Sequence, residues 1–548
     1  MNIRLELPPV RSVWGFGERY DLTDHIGVKI VNRVEEKFTH QGEKTYLPVP
    51  IAVSSRFAVR VDTDSVFSFT FSNEGGHTVM ELSGDDLSAE DVKTAYGEPR
   101  DTVSLLIGEV CSVPDWIFAP WASANRWTSD EDVMKFLDDA ERYGFSFSTL
   151  VLEAWSDEAT FYTFKKEFRD PAALCRRLKE KGIHLILWQC PVLKVEEGFH
   201  NEQLEKDICH AKENNLLVKN SDGSFYTIPE GHWFQHSYVP DFTNPQTRIW
   251  WMQKRQSLID AGISGFKTDG GEFILSDDTV FFNGMSGRQM RNRYPDEYIS
   301  AYLEYMNDGM ITFSRSGYRN AGGSSCFWAG DQMSSFDELE PVLRAGLNAA
   351  VSGVFWWGFD IAGFAGPMPS AELYLRSYML SVFVPIMQWH SEPVGGQFRE
   401  FMKSGDEIND RSPWHVAEYR NCPEVVDICR HYSDMRMRLQ EYIISEAHYS
   451  RENREPLMRP MFYMYPDDEA VQCVYDEFFF GRSLLIVPVL HEGVKERTVI
   501  LPEGEWYDVQ RGEIIKGRVT VSRVYELDEI GIFISFPEGR DLINMFGK

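Results

Sequence analysis

The chain has 548 residues, 43% apolar and 14% aromatic, which allows two to four domains with large cores. Its 84 acidic against 55 basic residues give a net charge of −29, which excludes the basic footprint required by nucleic acid or an anionic membrane surface. No window of about 20 apolar residues exists to span a bilayer, and the eight cysteines show no CxxC pairing, so neither a zinc site nor a disulfide framework is indicated.

The opening stretch MNIRLELPPVRSVWGF has no charged region followed by an apolar one, as a secretory leader would. A cytoplasmic protein with reduced thiols is expected. Residues 1–109 read as β. The runs YLPVPIAVSS, FAVRVDT and VFSFTFS, separated by NEGG and SGDD, predict an N-terminal β-sandwich. SAEDVKTAYG reads as helix-prone. From 110 to 395, eight short apolar runs alternate with amphipathic stretches. The runs are WIFAPWA, FSTLVLEAW, HLILWQCP, GFKTDGG, MITFSRSG, SSCFWAGD, VFWWGFD and VPIMQWH. Alternation of this kind predicts parallel strands with crossover helices, and eight repeats predict an α/β fold, a closed (β/α)8 TIM barrel. No Gly-rich phosphate loop follows any run, so a nucleotide site has no support. Interruptions at about 195–240 and 273–297 exceed ordinary barrel loops and are expected to wall a pocket at the carboxyl ends of strands. Residues 396–455 read as a helical connector. Residues 456–548, with SLLIVPVL, RTVILPEG and GIFISFPEG, read as a C-terminal all-β domain.

Polar groups at the carboxyl ends of barrel strands are functional candidates. Strand by strand they are Glu153 with Trp155, Trp188 with Gln189, Lys267 with Asp269, Arg315 with Ser316, Trp328 with Asp331, Trp357 with Asp360, and His390. Each alone has a structural reading. An Asp after a strand is more often a helix cap, a lone His is more often a core residue, and packing explains Trp155 and Trp188 nearly as well as contact with substrate. Their convergence on one rim favours function, because burying so many charges without purpose is costly. Two carboxylates between aromatic walls are the minimum equipment for cleaving a glycosidic bond. Lys267 and Arg315 are expected to keep Asp269 charged, and the aromatic setting CFWAGD to hold a proton on Asp331. In GFKTDGGEF the two glycines are expected to let the backbone turn close to a sugar, and Glu272 to support the loop.

These segments resemble glycoside hydrolase family 31, the family of α-glucosidases and α-xylosidases, over nearly the whole chain. WGFGERYDLTDHIG is similar to its N-terminal segment and GFKTDGGE to its nucleophile motif. FSRSGYRNAGGSSCFWAGD is similar to its arginine-to-acid segment, FWWGFDIAGF and MQWHSEP to its last two strand ends. The resemblance implies a retaining exo-α-glycosidase with Asp269 as nucleophile and Asp331 as acid/base. Glu153, Trp188, Lys267, Arg315, Trp328, Asp360 and His390 would bind the sugar. It implies no cofactor and no metal. It also implies a small α-linked oligosaccharide or glycoside as partner, with no nucleic acid, no membrane and an assembly open to homo-oligomers. Glu153 stands where many family α-glucosidases carry Asp. α-Glucoside is the first expectation because it is common in the family, and Glu153 leaves α-xyloside and α-galactoside open. A transglycosylase, an α-glucan lyase and a non-catalytic sugar-binding protein are the rival readings.

Overall fold

The computed structural model describes residues 2–157, 159–391 and 410–546, so residues 392–409, part of the expected connector, lie outside the described residues. The N-terminal part packs two four-stranded antiparallel sheets. One orders Asn2–Leu7, His77–Ser83, Phe67–Glu74 and Lys29–Asn32; the other orders Trp14–Gly15, Ile51–Val53, Phe57–Val61 and Val92–Tyr96. In FSFTFS the phenylalanines 67, 69 and 71 are buried and the polar residues between them are not, the period-2 signature of a half-buried strand. SAEDVKTAYG is not helical. Only Ala89–Asp91 form a 3-10 turn, capped at its start by the Ser88 amide donating to the Asp91 carboxylate. Val92–Tyr96 then joins the sheet beside Phe57–Val61, so pairing overrides local propensity.

The barrel strands are Trp121–Ala124, Thr149–Leu152, His184–Gln189, Gly265–Thr268, Ile311–Ser314, Cys326–Trp328, Trp357–Asp360 and Ile386–Ser391. All pair in parallel in chain order, and the last closes on the first. They are buried on both faces, which is why they read as continuous apolar runs. The first strand starts later than WIFAPWA implied. Asp115–Phe118 form a 3-10 turn, and Pro120, which biases its predecessor toward extended backbone, precedes the strand. Crossover helices begin at side-chain caps: Ser129 before Asp130–Tyr143, Asp170 before Pro171–Glu180, and Asn244 before Pro245–Gln253.

The two insertions meet. Lys219–Asn220 of the first pairs antiparallel with Thr279–Val280 of the second. The second is shorter than expected, because the Ser286–Gln289 capping box starts the helix Gly287–Leu303. After the barrel, helices Pro413–Tyr419, Glu424–Arg438 and Gln440–Asn453 lead to the C-terminal part, a six-stranded sheet and a two-stranded ribbon, Glu496–Leu501 with Val519–Val524. The segment GFGERY docks the N-terminal sheets on the barrel. The Gly15 amide donates to Asn348 Oδ1 at 2.8 Å, the Gly17 amide to Ser352 Oγ at 2.9 Å, and Trp357 Nε1 to Glu18 Oε1 at 2.7 Å. Gly17 has φ +76°, and a Cβ there would lie 1.8 Å from the Leu47 carbonyl oxygen, so only glycine permits this approach.

Candidate active site

Asp269 follows directly on the strand Gly265–Thr268, its amide donating to the Gln189 carbonyl of the neighbouring strand at 3.0 Å. Both its carboxyl oxygens are occupied. Trp188 Nε1 donates to Oδ2 at 2.8 Å, the Gly270 amide to Oδ1 at 2.7 Å, and Arg315 Nε lies 3.2 Å from Oδ1. Three donors and no acceptor face it, the surroundings of a group that only accepts. Gly270 and Gly271 have φ +76° and +106°, and a Cβ on them would strike Phe273 at 2.8 Å and Ser316 Oγ at 2.4 Å. Besides permitting the turn, they make room for the protein's own side chains.

Arg315 is buried at the end of the strand Ile311–Ser314 and gathers three carboxylates. Its Nε and Nη2 donate to the two oxygens of Glu272, each at 3.0 Å, and its Nη1 donates to Asp331 Oδ2 at 3.3 Å, while Nε also reaches Asp269. One guanidinium charge cannot neutralise three acids. Burial pushes the Asp331 carboxyl up to about 8, the Asp269 charge adds to the rise, and Arg315 opposes it. Burial also raises Glu272 against the pull of Arg315. A carboxyl raised in this way is suited to hold a proton near neutral pH. The Trp328 ring faces Lys267, whose Nζ is 4.3 Å from its centroid.

Lys267 feels the Asp269 charge, as expected of an electrostatic neighbour, and its ammonium bonds Glu153 Oε1. Burial alone would lower Lys267, but the carboxylates of Glu153, Asp360 and Asp269 prevail and raise it. Burial lifts Glu153 to about 7 despite Lys267. His390 Nδ1 lies 2.6 Å from Ser123 Oγ and 3.6 Å from Glu153 Oε1. Burial, with Lys267 and Arg411 nearby, holds His390 well below its ordinary value, so its contact with Glu153 is between a neutral imidazole and a carboxyl rather than an ion pair. Burial raises Asp360, whose Oδ1 accepts from Gln388 Nε2 at 2.6 Å.

The structure thus brings Asp269, Asp331, Arg315 and Trp188 into one cluster, and Lys267, Glu153, His390 and Trp328 into an adjoining one. Asp360 is joined to the second through its charge on Lys267. Trp155 is fully buried and donates to the Trp188 carbonyl, a core residue. Trp357 serves the docking of Glu18.

Four further residues belong to the site. Ser123 ends the first strand. Gln41 and Tyr46 come from the N-terminal part, where Gln41 Nε2 donates to the Asp331 carbonyl at 3.1 Å and the Tyr46 ring centroid is 4.7 Å from the Arg315 guanidinium carbon. Trp233, from the 195–240 insertion, lies 4.9 Å from the same carbon. A lone Trp in a segment already read as pocket wall was a usable signal for Trp233; KTYLPVP carries none for Tyr46. Among the described residues, no group of three or more His, Cys, Asp or Glu side chains is arranged to hold a metal ion.

The family model for the glycosyl hydrolases family 31 TIM-barrel domain matches residues 111–446, and that for the family's C-terminal domain matches residues 454–536. The isomaltosyltransferase of Sporosarcina globispora is 33% identical over 96% of this chain and 51% of its own length, so the chain spans about half of that relative. The 1,3-alpha-isomaltosidase of Kribbella flavida is 33% identical over 100% of this chain and 79% of its own. Among solved structures, the cycloalternan-degrading enzyme from Trueperella pyogenes, in complex with a covalent intermediate, superposes with a TM-score of 0.90 at 32% identity, over 97% of this chain and 77% of that one.

Proposed function

The chain belongs to glycosyl hydrolase family 31, and on that premise we propose that it is a retaining enzyme that cleaves α-glycosidic bonds next to an isomaltosyl unit. Asp269 is the nucleophile and Asp331 the acid/base in this reading. The observation that carries it is the single Arg315 guanidinium in reach of both carboxylates, Asp269 also accepting from Trp188 and the Gly270 amide and Asp331 raised by burial. Asp269 attacks the anomeric carbon while Asp331 gives its proton to the departing oxygen. A glycosyl-enzyme ester forms, and Asp331, now ionised, takes a proton from the incoming water as the ester breaks. Lys267, Glu153, His390 and Asp360 hold hydroxyls of the sugar being transferred. The covalent intermediate described for the Trueperella enzyme supports the double displacement.

An isomaltosyl unit is favoured over a single glucosyl unit because two relatives at 33% identity are named for it. One of the two is a transferase, which supports a second reading: the same ester transferred to a sugar hydroxyl instead of water. The test is a panel of aryl α-glycosides carrying isomaltosyl, glucosyl, xylosyl and galactosyl groups, run with wild type and Asp269→Ala. Isomaltosyl release with retained configuration, lost in the variant, is expected. Release of isomaltose marks a hydrolase, and an elongated saccharide marks a transferase. Unchanged turnover in Asp269→Ala, or a β-configured first product, would sink the assignment.

A further inference from the structure

Arg315 is built into the barrel, but the rings that flank it are not. Its firm partner is Glu272, bonded through Nε and Nη2 at 3.0 Å each. Its bond to Asp331, through Nη1 at 3.3 Å, is longer, and a small swing of the guanidinium about the Glu272 pair would break it. Two aromatic rings limit that swing. The Tyr46 centroid lies 4.7 Å from the guanidinium carbon and the Trp233 centroid 4.9 Å. Tyr46 comes from the N-terminal sandwich and Trp233 from the insertion after the third strand.

We propose that Tyr46 and Trp233 are positioning residues that hold the Arg315 guanidinium where it bridges Asp269 and Asp331, so that two segments outside the barrel complete the acid/base machinery. This rests on Asp331 being the acid/base. Tyr46 touches Arg315 and the backbone beside Asp331. Its ring lies against Arg315, and a Cβ on Gly330, next to Asp331, would come within 2.3 Å of that ring. Its hydroxyl donates to the Lys37 carbonyl at 2.7 Å and accepts from Gln41 Nε2, which also donates to the Asp331 carbonyl. Trp233 is half-buried and packs near Trp188, the donor to Asp269, and near Phe273. Its turn is held in a costly form: Phe234 and His236 both have left-handed φ, +56° and +67°, which non-glycine residues rarely adopt and which clusters at functional sites.

The groups whose charge acts on Asp331 are Arg315, Asp269, Glu36 and Lys267, and of the cations Arg315 opposes the rise most. Loosening Arg315 therefore moves the Asp331 carboxyl further up and weakens its delivery to the leaving oxygen. Trp233 is the residue to change, since it sits on a loop and is not fully buried. Trp233→Ala, Trp233→Phe and Tyr46→Phe are compared on two α-glycosides of one sugar, one with a dinitrophenolate leaving group that departs without a proton and one with phenol, which needs it.

For Trp233→Ala the expected result is a loss of about tenfold or more in kcat/KM on the phenyl substrate, a clearly smaller loss on the dinitrophenyl one, and a basic limb displaced upward. Trp233→Phe and Tyr46→Phe, which keep a ring, should retain the wild-type limb. Equal losses on both substrates with an unmoved limb, or no loss at all, overturn the proposal. Failure of the underlying assignment would look different: wild type inactive on the dinitrophenyl glycoside, or Asp331→Ala as good as wild type on the phenyl one.

Discussion

Glu272→Gln separates a supporting carboxylate from a catalytic one. Glu272 lies three residues after Asp269, and its two oxygens accept from Arg315 Nε and Nη2 at 3.0 Å each in a buried pair. Glutamine keeps the shape and one acceptor but turns an NH2 toward the other guanidinium donor. A charge-assisted hydrogen bond is lost, worth about 1.5–3 kcal/mol. Removing one carboxylate from beside Asp269 offsets part of that. A loss of about 2 kcal/mol in unfolding free energy is expected. If the same energy is lost from the bridge in the transition state, kcat/KM falls roughly 10- to 100-fold. Urea unfolding and kcat/KM on an aryl α-glycoside give the two numbers, and added azide gives a third. Azide should leave Glu272→Gln unimproved, because the variant still carries its nucleophile. A wild-type urea midpoint with wild-type kcat/KM would show that Glu272 does not anchor Arg315. A loss as deep as that of Asp269→Ala, rescued by azide with inversion, would make Glu272 the nucleophile and refute the assignment of Asp269.

Asp331→Ala should lose about 10²–10⁴-fold on a phenyl α-glycoside and far less on a dinitrophenyl one, with azide restoring the glycosyl azide product of retained configuration; product NMR reads this. In wild type, kcat/KM should fall as pH rises through about 8, where Asp331 gives up its proton, and Asp331→Asn should abolish that limb in a pH–rate profile. Lys267→Met leaves Glu153 buried without its cation, so the Glu153 carboxyl should rise above about 7 and unfolding free energy should drop by about 3–5 kcal/mol at neutral pH, measured in urea. Glu477 is buried, accepts from the Ile500 amide, and is raised by burial from 4.5 to about 8. A raised carboxyl contributes fully below its unfolded pKa and its contribution is lost as pH climbs to the folded one. Wild type should therefore lose urea stability between pH 4.5 and about 8, with a ceiling of about 5 kcal/mol from this group, and Glu477→Gln should flatten that slope.

The barrel was legible because its strands are buried on both faces and its helices start at ordinary caps. Apolar runs ending in charged residues mark both features without any knowledge of contacts. The same logic located Asp269, Asp331 and Arg315. Pairings across strands were not legible. The sequence puts Lys267 two residues from Asp269, on the same face, and the Asp269 charge does act on it, but the carboxylate its ammonium bonds is Glu153, at the end of another strand and 114 positions away in sequence. Val92–Tyr96 misled in the other direction: its helical texture is local, whereas its conformation is set by Phe57–Val61, more than thirty residues earlier. Tyr46 could not be found at all, because its ring reaches the site only through the docking of one domain on another.

That docking bears on why the acid/base works. Five carboxylates, Glu153, Asp269, Glu272, Asp331 and Asp360, share the rim with the cations Lys267 and Arg315, and Arg411 acts on Asp360. A surplus of negative charge in a buried place must leave some acids protonated, and which ones depends on how the cations are apportioned. Lys267 is committed to Glu153 and Arg315 to Glu272, while Asp269 takes an indole and an amide as well as a share of Arg315. Asp331 receives only the longer Arg315 contact, and its carbonyl, not its carboxyl, meets Gln41. Of Asp269 and Asp331 it has the weaker claim on positive charge, which suits it to hold the proton. On the proposed assignment, the division of labour between these two carboxyls follows from an unequal sharing of one guanidinium, and any change that redistributes Arg315 should appear first in the step that needs that proton.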